Sequence, residues 1–300
     1  MKVSDILTKV PVIKSDIVCD EEVNGAFLDS RLVHRGSLFF ACCGENADGN
    51  LYAQTALDKG AVAVIMDNES IYNEVHGNKL LVNNTLEFMQ QLGRYRFDEL
   101  HNSNKIVIAV TGSFGKTGMK EMIKYIFSQN ERVYATEGNK NNMLGVMLTG
   151  CGIDDNAGTI IIELGSNNFG EIKELTEIVR PNTAIVTSVG HAHIGRFKTF
   201  ERLLFEKMSI SDGLTKDGEF IIPTKLTPFV PKGDFKFRTF GESAFSGIRI
   251  TEYKHHGEYI TFKTSLTEKE FRINHPYMHI AENSLCAIYA ALLSGIDEEK

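Results

Sequence analysis

Three hundred residues exceed the roughly 150 of a typical domain and point to about two, and a chain of that length buries roughly 75% of its unfolded surface without disulfide or metal support. A composition of 42% hydrophobic and 24% charged residues, with 26 glycines and 6 prolines, excludes a collagenous, low-complexity or disordered chain. The net charge of −7 and pI near 5.8 give no global basic field for a polyanion, which excludes nucleic acid as the main partner.

Along the chain, residues 1–103 carry short apolar runs at 37–43, 61–66 and 79–84 around one helical stretch, LYAQTALDKG. That pattern predicts a small α/β unit. The apolar spacing from Leu86 to Leu100 predicts a helix, and the polar HNSNK at 101–105 reads as a linker. Beyond it, IVIAV (106–110) is a fully apolar strand, followed by a glycine-bearing loop and the helical pattern KTGMKEMIKYIFSQ (116–129). Strand, loop and helix in that order open a parallel α/β sheet. TIIIEL (159–164) and TAIVTSV (183–189) are two more buried strands, joined by a crossover helix over 171–179, with a further helix over 200–214. From 218 the apolar period changes, and EFIIPT, FKFRTF, IRITEYKHHGEYITFKT and EKEFRIN are expected as antiparallel strands, one hairpin turning at His256-Gly257. Residues 280–295 close as an amphipathic helix with Gly295 at its C-cap.

The five cysteines, Cys19, Cys42, Cys43, Cys151 and Cys286, are odd in number and lack CxxC spacing. This argues against a disulfide framework or zinc ribbon and for a reducing, cytoplasmic setting. The N-terminal stretch has charged or polar residues every few positions, and no run of about 18 apolar residues occurs, so neither export nor membrane insertion is expected.

The strongest chemical signal is TGSFGKTG at 111–118, between a buried strand and a helix. Backbone amides of Gly112, Ser113 and Gly115 and the helix N-terminus would cradle phosphate, Lys116 would reach its outer oxygens and Thr117 would hold Mg²⁺. The full GxxxxGK[ST] pattern fails, because Val110 stands where its first glycine belongs. Glu163, at the carboxyl end of an apolar strand, lies where open α/β sheets bind ligands and could complete the Mg²⁺ shell. His191 and His193 form an HxH pair, but no further ligand stands at a zinc spacing, and zinc is discounted. Lys207 alone reads as a solvated helix lysine. Asn139, Asn141 and Asn142 read as a turn whose amides suit a polar substrate.

Taken in order, these strings resemble one family. GSFGKT with KEM after it, GNKNN followed by LGV, ELGSNNFGEI, the Pro181 string PNTAIVT followed by GHAHI, and HIAEN at 279–283 before an Ala-rich helix resemble the Mur ligases. Residues 28–50 resemble that family's UDP-sugar-binding domain. The resemblance implies an α/β fold with a small N-terminal UDP-substrate domain over 1–103. It further implies a P-loop central domain over 104–300, with a mostly parallel sheet and an antiparallel strand extension. It also implies an ATP- and Mg²⁺-dependent amide ligase that activates a carboxylate as an acyl phosphate for attack by an amine, matching best the member that adds D-alanyl-D-alanine to UDP-N-acetylmuramoyl-tripeptide.

Carried over by position, Lys116 and Thr117 bind phosphate and the first Mg²⁺, with Glu163 as its carboxylate ligand. His193 binds a second Mg²⁺, and Lys207 matches the lysine that is carbamylated in the family. Asn283 matches the adenine contact, Asp29, Ser30 and Arg31 line the uridine site, and Asn141 and Asn142 lie near nucleotide and acceptor. The chain departs from the family's usual residues at Gly118, Met147, Ser188, Gly195, Met208, Ser209 and Tyr277. None of these is a phosphate or metal ligand named above. The family's third, C-terminal domain binds the incoming amine, and the chain stops at IDEEK where that domain should begin, so the resemblance implies either a two-domain piece of a longer enzyme or a short form whose missing domain a separate chain or domain supplies. Two alternatives stay open: a ligase for another cell-surface glycan acid, and a noncatalytic regulator that binds nucleotide or UDP-sugar. A small-molecule kinase does not account for residues 28–50.

Overall fold

The computed structural model describes residues 1–44, 47–190 and 194–299. In chain order the elements are α1 (Val3–Ile6), β1 (Lys14–Asp16), β2 (Gly25–Phe27), β3 (Ser37–Phe40), α2 (Ala53–Asp58), β4 (Ala63–Met66), α3 (Glu69–Tyr72), β5 (Lys79–Leu81) and α4 (Thr85–His101). They continue with β6 (Ile106–Thr111), α5 (Lys116–Ser128), β7 (Val133–Ala135), α6 (Met143–Cys151), β8 (Thr159–Glu163), α7 (Glu171–Val179), β9 (Thr183–Val186), α8 (Ile194–Phe197) and α9 (Phe200–Met208). Last come β10 (Glu219–Pro223), β11 (Lys236–Phe240), β12 (Ile250–His255), β13 (Ile260–Thr264), β14 (Glu270–Ile273) and α10 (Met278–Leu293). No helix among the described residues is long and apolar enough to cross a membrane.

The chain folds as two compact units, one of Met1–Asn104 with Met143–Ala157, the other of Lys105–Asn142 with Gly158–Lys300. The second domain expected over 104–300 is therefore interrupted, because α6 and the loop after it pack with the first unit. The reason lies in α6 itself, MLGVMLTGC, which is buried from Gly145 to Cys151 and needs apolar cover on every side. It finds that cover on α4, where two glycines let the backbones close up. A Cβ at Gly93 would stand 2.5 Å from the Met147 carbonyl oxygen, and one at Gly150 would stand 2.8 Å from the Phe97 ring. Buried Arg96 on α4 secures the loop beyond α6, donating to the Ile153 carbonyl at 3.1 Å and pairing with Asp155.

In the first unit the sheet order is β1-β5-β4-β3-β2, parallel except for β1, which runs antiparallel to β5. Strands β3 and β4 are buried along their whole length, and the apolar core gathers Phe39, Val64, Met66, Tyr72 and Leu81. Helix α4 starts at Asn84, whose side chain accepts from the Glu87 amide.

In the second unit the order β11-β10-β9-β6-β8-β7 is parallel throughout. The strand that precedes the glycine loop, β6, lies centrally between β8 and β9. The chain runs from β6 outward to β7 and back to β8 on one side, then to β9 on the other. The carboxyl ends of β6, β8 and β9 thus meet where the winding reverses, the place where open α/β sheets form a crevice. Core residues Ile108, Val110, Ile123, Phe127, Ile161 and Leu285 fill one face of the sheet.

Strands β10 and β11 correct an expectation. They run parallel, not antiparallel, and extend the main sheet. Alternation reports which face is buried, not strand direction. Residues 224–235 between them supply the dozen residues a parallel return needs, part of them as a 3₁₀ helix over Thr224–Phe229. The antiparallel extension is confined to β12-β13-β14, whose first hairpin turns at His256–Gly257 with Gly257 at φ +85.

Candidate functional site at the carboxyl edge of the parallel sheet

The register of the sheet places the first acidic group. Val110 pairs with Glu163 across β6 and β8, and Leu164 N donates to the Val110 carbonyl at 2.8 Å, so Glu163 ends its strand beside the loop 112–115. The loop leads into α5 through Gly115, whose φ of +82 suits glycine and which brings no side-chain cap. The first amides of α5 are left for another acceptor. Gly112 is also sterically required, because a Cβ there would overlap the Thr187 hydroxyl. Ser113 ties the loop to the end of β9: its amide donates to the Ser188 carbonyl at 2.8 Å and its hydroxyl accepts from Gly190 N at 3.1 Å.

Lys116 folds back over the loop and donates to the Gly112 carbonyl at 2.8 Å. Burial lowers its pKa, and the Glu163 charge opposes that shift. Thr117 donates its hydroxyl hydrogen to Glu163 Oε2 at 2.9 Å, while Asn141 Nδ2 donates to Glu163 Oε1 at 2.7 Å. Glu163 as a whole is 1% exposed. Asn141 is itself held by its carbonyl, which accepts from Gly165 N at 2.7 Å, and a Cβ at Gly165 would press to 2.7 Å from Asn141 Oδ1.

Helix α9 brings the second cation. Thr199 caps its start by accepting from Arg202 N, and Lys207 in its last turn is 4% exposed, with Nζ donating to Ser166 Oγ at 2.8 Å. Burial first, and the charge of Lys116 second, lower the Lys207 pKa from 10.5 to about 8, against the opposing effect of Glu206 and Glu171. Glu206, the preceding residue, accepts from Gly170 N at 2.5 Å and Ile172 N at 2.9 Å. It thereby fastens the start of α7 to α9 and holds the far end of the loop that follows Glu163.

Gly112, Ser113, Lys116, Asn141, Asn142 and Lys207 line a cavity of about 130 Å³. Beyond the loop, Phe114, Gly115, Ser188, Thr224, Glu242 and Asn283 line a larger one of about 780 Å³. Asn283 on α10 reaches toward Gly115, where a Cβ would come within 3.2 Å of its Nδ2. His193, and His191 with it, lie outside the described residues.

The donor chemistry fits a magnesium-bound phosphate. The side chains hydrogen-bonded to the Glu163 carboxylate, Thr117 and Asn141, are neutral, and with Thr117 it offers the hard oxygen donors that Mg²⁺ prefers. Two ammonium groups, Lys116 and Lys207, line the same small cavity and suit phosphoryl oxygens.

Asp29, Ser30 and Arg31 belong to the first unit, in the turn after β2. Arg31 grips Asp29 through Nε at 2.9 Å and Nη2 at 2.7 Å, and these bonds hold the Asp29 carboxyl down to about 2. Lys59 Nζ donates to the Ser30 carbonyl at 3.0 Å.

Sequence reasoning left several partners unseen. Asn141 was expected near the nucleotide, not as the amide that orients Glu163. Ser166, within the string ELGSNNFGEI, and Glu206 gave no sign of their contacts, being ordinary polar residues whose partners lie 41 and 36 positions away.

The chain is similar to known proteins over nearly its whole length. The Mur ligase middle domain matches residues 110–291, and the Mur ligase family, catalytic domain, matches residues 22–96. The UDP-N-acetylmuramoyl-tripeptide--D-alanyl-D-alanine ligase of Rickettsia prowazekii is 32% identical over 95% of the chain, and that of Bacillus subtilis 30% identical over 92%. The chain spans 62% and 60% of the length of these two relatives. A crystal structure of MurF from Acinetobacter baumannii superimposes with a TM-score of 0.79 at 26% identity, covering 99% of the chain and 65% of that protein.

Proposed function

Because the chain belongs to the Mur ligase family, we propose that it carries the acceptor-binding and nucleotide-binding parts of an ATP-dependent carbon–nitrogen ligase of the cytoplasm. The ligase joins D-alanyl-D-alanine, or a similar amino compound, to a UDP-N-acetylmuramoyl-peptide acceptor in cell-wall synthesis. The observation that carries this reading is the convergence of Lys116, Thr117, Asn141, Glu163 and Lys207 at one sheet edge. The names of the relatives support the choice of substrates.

ATP supplies the phosphoryl group that turns the acceptor carboxylate into a good acylating agent, and Mg²⁺ neutralises charge as that group moves. The protein's share is positioning. Lys116 exchanges the Gly112 carbonyl for a phosphate oxygen, and the uncapped amides of α5 take others. Thr117 and Glu163 would hold Mg²⁺, with Asn141 donating to the carboxylate oxygen that Thr117 does not contact.

Lys207 has a lowered pKa of about 8, so a usable fraction is the neutral amine that adds CO₂. That addition forms an N–C bond and releases one proton, converting the side chain to a carbamate anion able to hold a second Mg²⁺ together with His193. Asn283 contacts adenine beside Gly115. Asp29, Ser30 and Arg31 take the uridine end of the acceptor, and Asn142 faces the nucleotide. The part of its relatives' length that this chain does not span, in the same chain or a separate one, binds the amine donor.

Calorimetry with an ATP analogue, and separately with UDP-N-acetylmuramoyl-tripeptide, in Mg²⁺ and bicarbonate, tests the reading. Lys116→Ala is expected to lose the nucleotide alone and Arg31→Ala to weaken the UDP compound alone. Binding of nucleotide without the UDP-peptide would sink the peptidoglycan substrate and turn attention to other glycan acids.

A further inference from the structure

One buried cation has no part in the chemistry above. Lys120 lies one turn beyond Lys116 on α5 and is 1% exposed. Removing an ammonium from water is costly unless its partners are well placed. Its Nζ donates to the Thr136 carbonyl at 2.6 Å and lies 3.1 Å from Glu121 Oε1.

Thr136 directly follows β7, the three-residue edge strand of the parallel sheet. Its own amide donates to the Ile161 carbonyl at 2.9 Å, and its hydroxyl accepts from the Glu163 amide at 3.1 Å. The same stretch then runs on to Asn141, which holds the other end of Glu163 through its carboxylate. A short edge strand is weakly held by its ladder alone, and a charge-assisted hydrogen bond at its exit is a strong tie.

We propose that Lys120 is a positioning residue for Glu163 and Asn141: it pins the exit of β7 to the helix that carries Lys116 and Thr117, and so fixes the carboxylate relative to the phosphate loop. The proposal rests on the reading of Glu163 as a Mg²⁺ ligand.

The test measures ADP affinity by calorimetry on the full chain, with Mg²⁺ and with EDTA, and takes the ratio as the magnesium gain. In Glu163→Gln the gain is expected to collapse. In Lys120→Met it falls at least fivefold, while the EDTA affinity stays within twofold of wild type. Because Lys120 acts through Glu163, adding Lys120→Met to Glu163→Gln changes Mg-ADP affinity by less than twofold. A merely structural lysine would weaken the two backgrounds equally, which would overturn the proposal, as would a Lys120→Met gain within twofold of wild type while Glu163→Gln loses it. An intact gain in Glu163→Gln removes the reading of Glu163 and the proposal with it. If Lys120→Met does not fold, Thr136→Val cuts the link between Thr136 and the Glu163 amide and leaves the Lys120 bond in place. The same loss of gain is expected there, and an intact gain overturns the proposal.

Discussion

Lys207→Met should make the protein more stable at neutral pH and less so in alkali. The lysine is 4% exposed, and its pKa is lowered from 10.5 to about 8 by burial and by the charge of Lys116. Between those two values the unfolded chain binds more protons than the folded one, so wild-type stability rises with pH across that window. Below about 8 both forms are protonated and the full cost is present, about 3 kcal/mol at about 1.4 kcal/mol per pH unit. Methionine fills a similar volume without charge and escapes that cost, but loses the hydrogen bond to Ser166, about 1 kcal/mol. The net gain at pH 7 is then about 2 kcal/mol, or about 4–8 °C in melting temperature for a unit of this size. At pH 10.5 the gain should vanish or reverse. Thermal melts of both proteins in CO₂-free buffer at the two pH values read the difference directly, since other groups titrate alike in both and cancel. A difference that is the same at pH 7 and 10.5 would refute the assignment of a buried, proton-poor lysine.

Other substitutions probe separate contacts. Thr117→Val removes the hydroxyl donor to a buried carboxylate and should cost about 1.5–3 kcal/mol of stability; denaturant titration measures this, and calorimetry should show the magnesium gain in nucleotide binding lost as well. Gly150→Ala puts a Cβ against the Phe97 ring and should destabilise the first unit by about 1–3 kcal/mol; an unchanged melting temperature would contradict the close packing of α6 on α4. Asn283→Ala should weaken an ATP analogue about tenfold, roughly the worth of one hydrogen bond to a ligand, while leaving inorganic pyrophosphate binding unchanged, and competition between the two ligands separates the cases.

Much of the parallel sheet was legible because strands buried on both faces read as unbroken apolar runs, as at 106–110 and 160–162. The glycine loop was legible for a similar local reason, since its demands fall within the eight consecutive residues 111–118. Glu163 followed from its place at a strand end. What stayed hidden depends on contacts distant in sequence. The apolar stretch after Asn142 gives no hint that it packs with the first unit, because that is decided by the match of Gly150 to Phe97 and Gly93. The direction of β10 and β11 was misread because side-chain alternation is the same for parallel and antiparallel pairing. Lys120 looks like any lysine of an amphipathic helix until Thr136 is found beneath it.

The central claim is that the loop 112–117 with Glu163 is a nucleotide site, and calorimetric titration with an ATP analogue and Mg²⁺ on wild type and Lys116→Ala tests it most directly. The account predicts saturable binding with one site per chain in wild type, strengthened by Mg²⁺, and a loss of at least tenfold in Lys116→Ala. Equal affinity in the two proteins, or no binding in either, would contradict it.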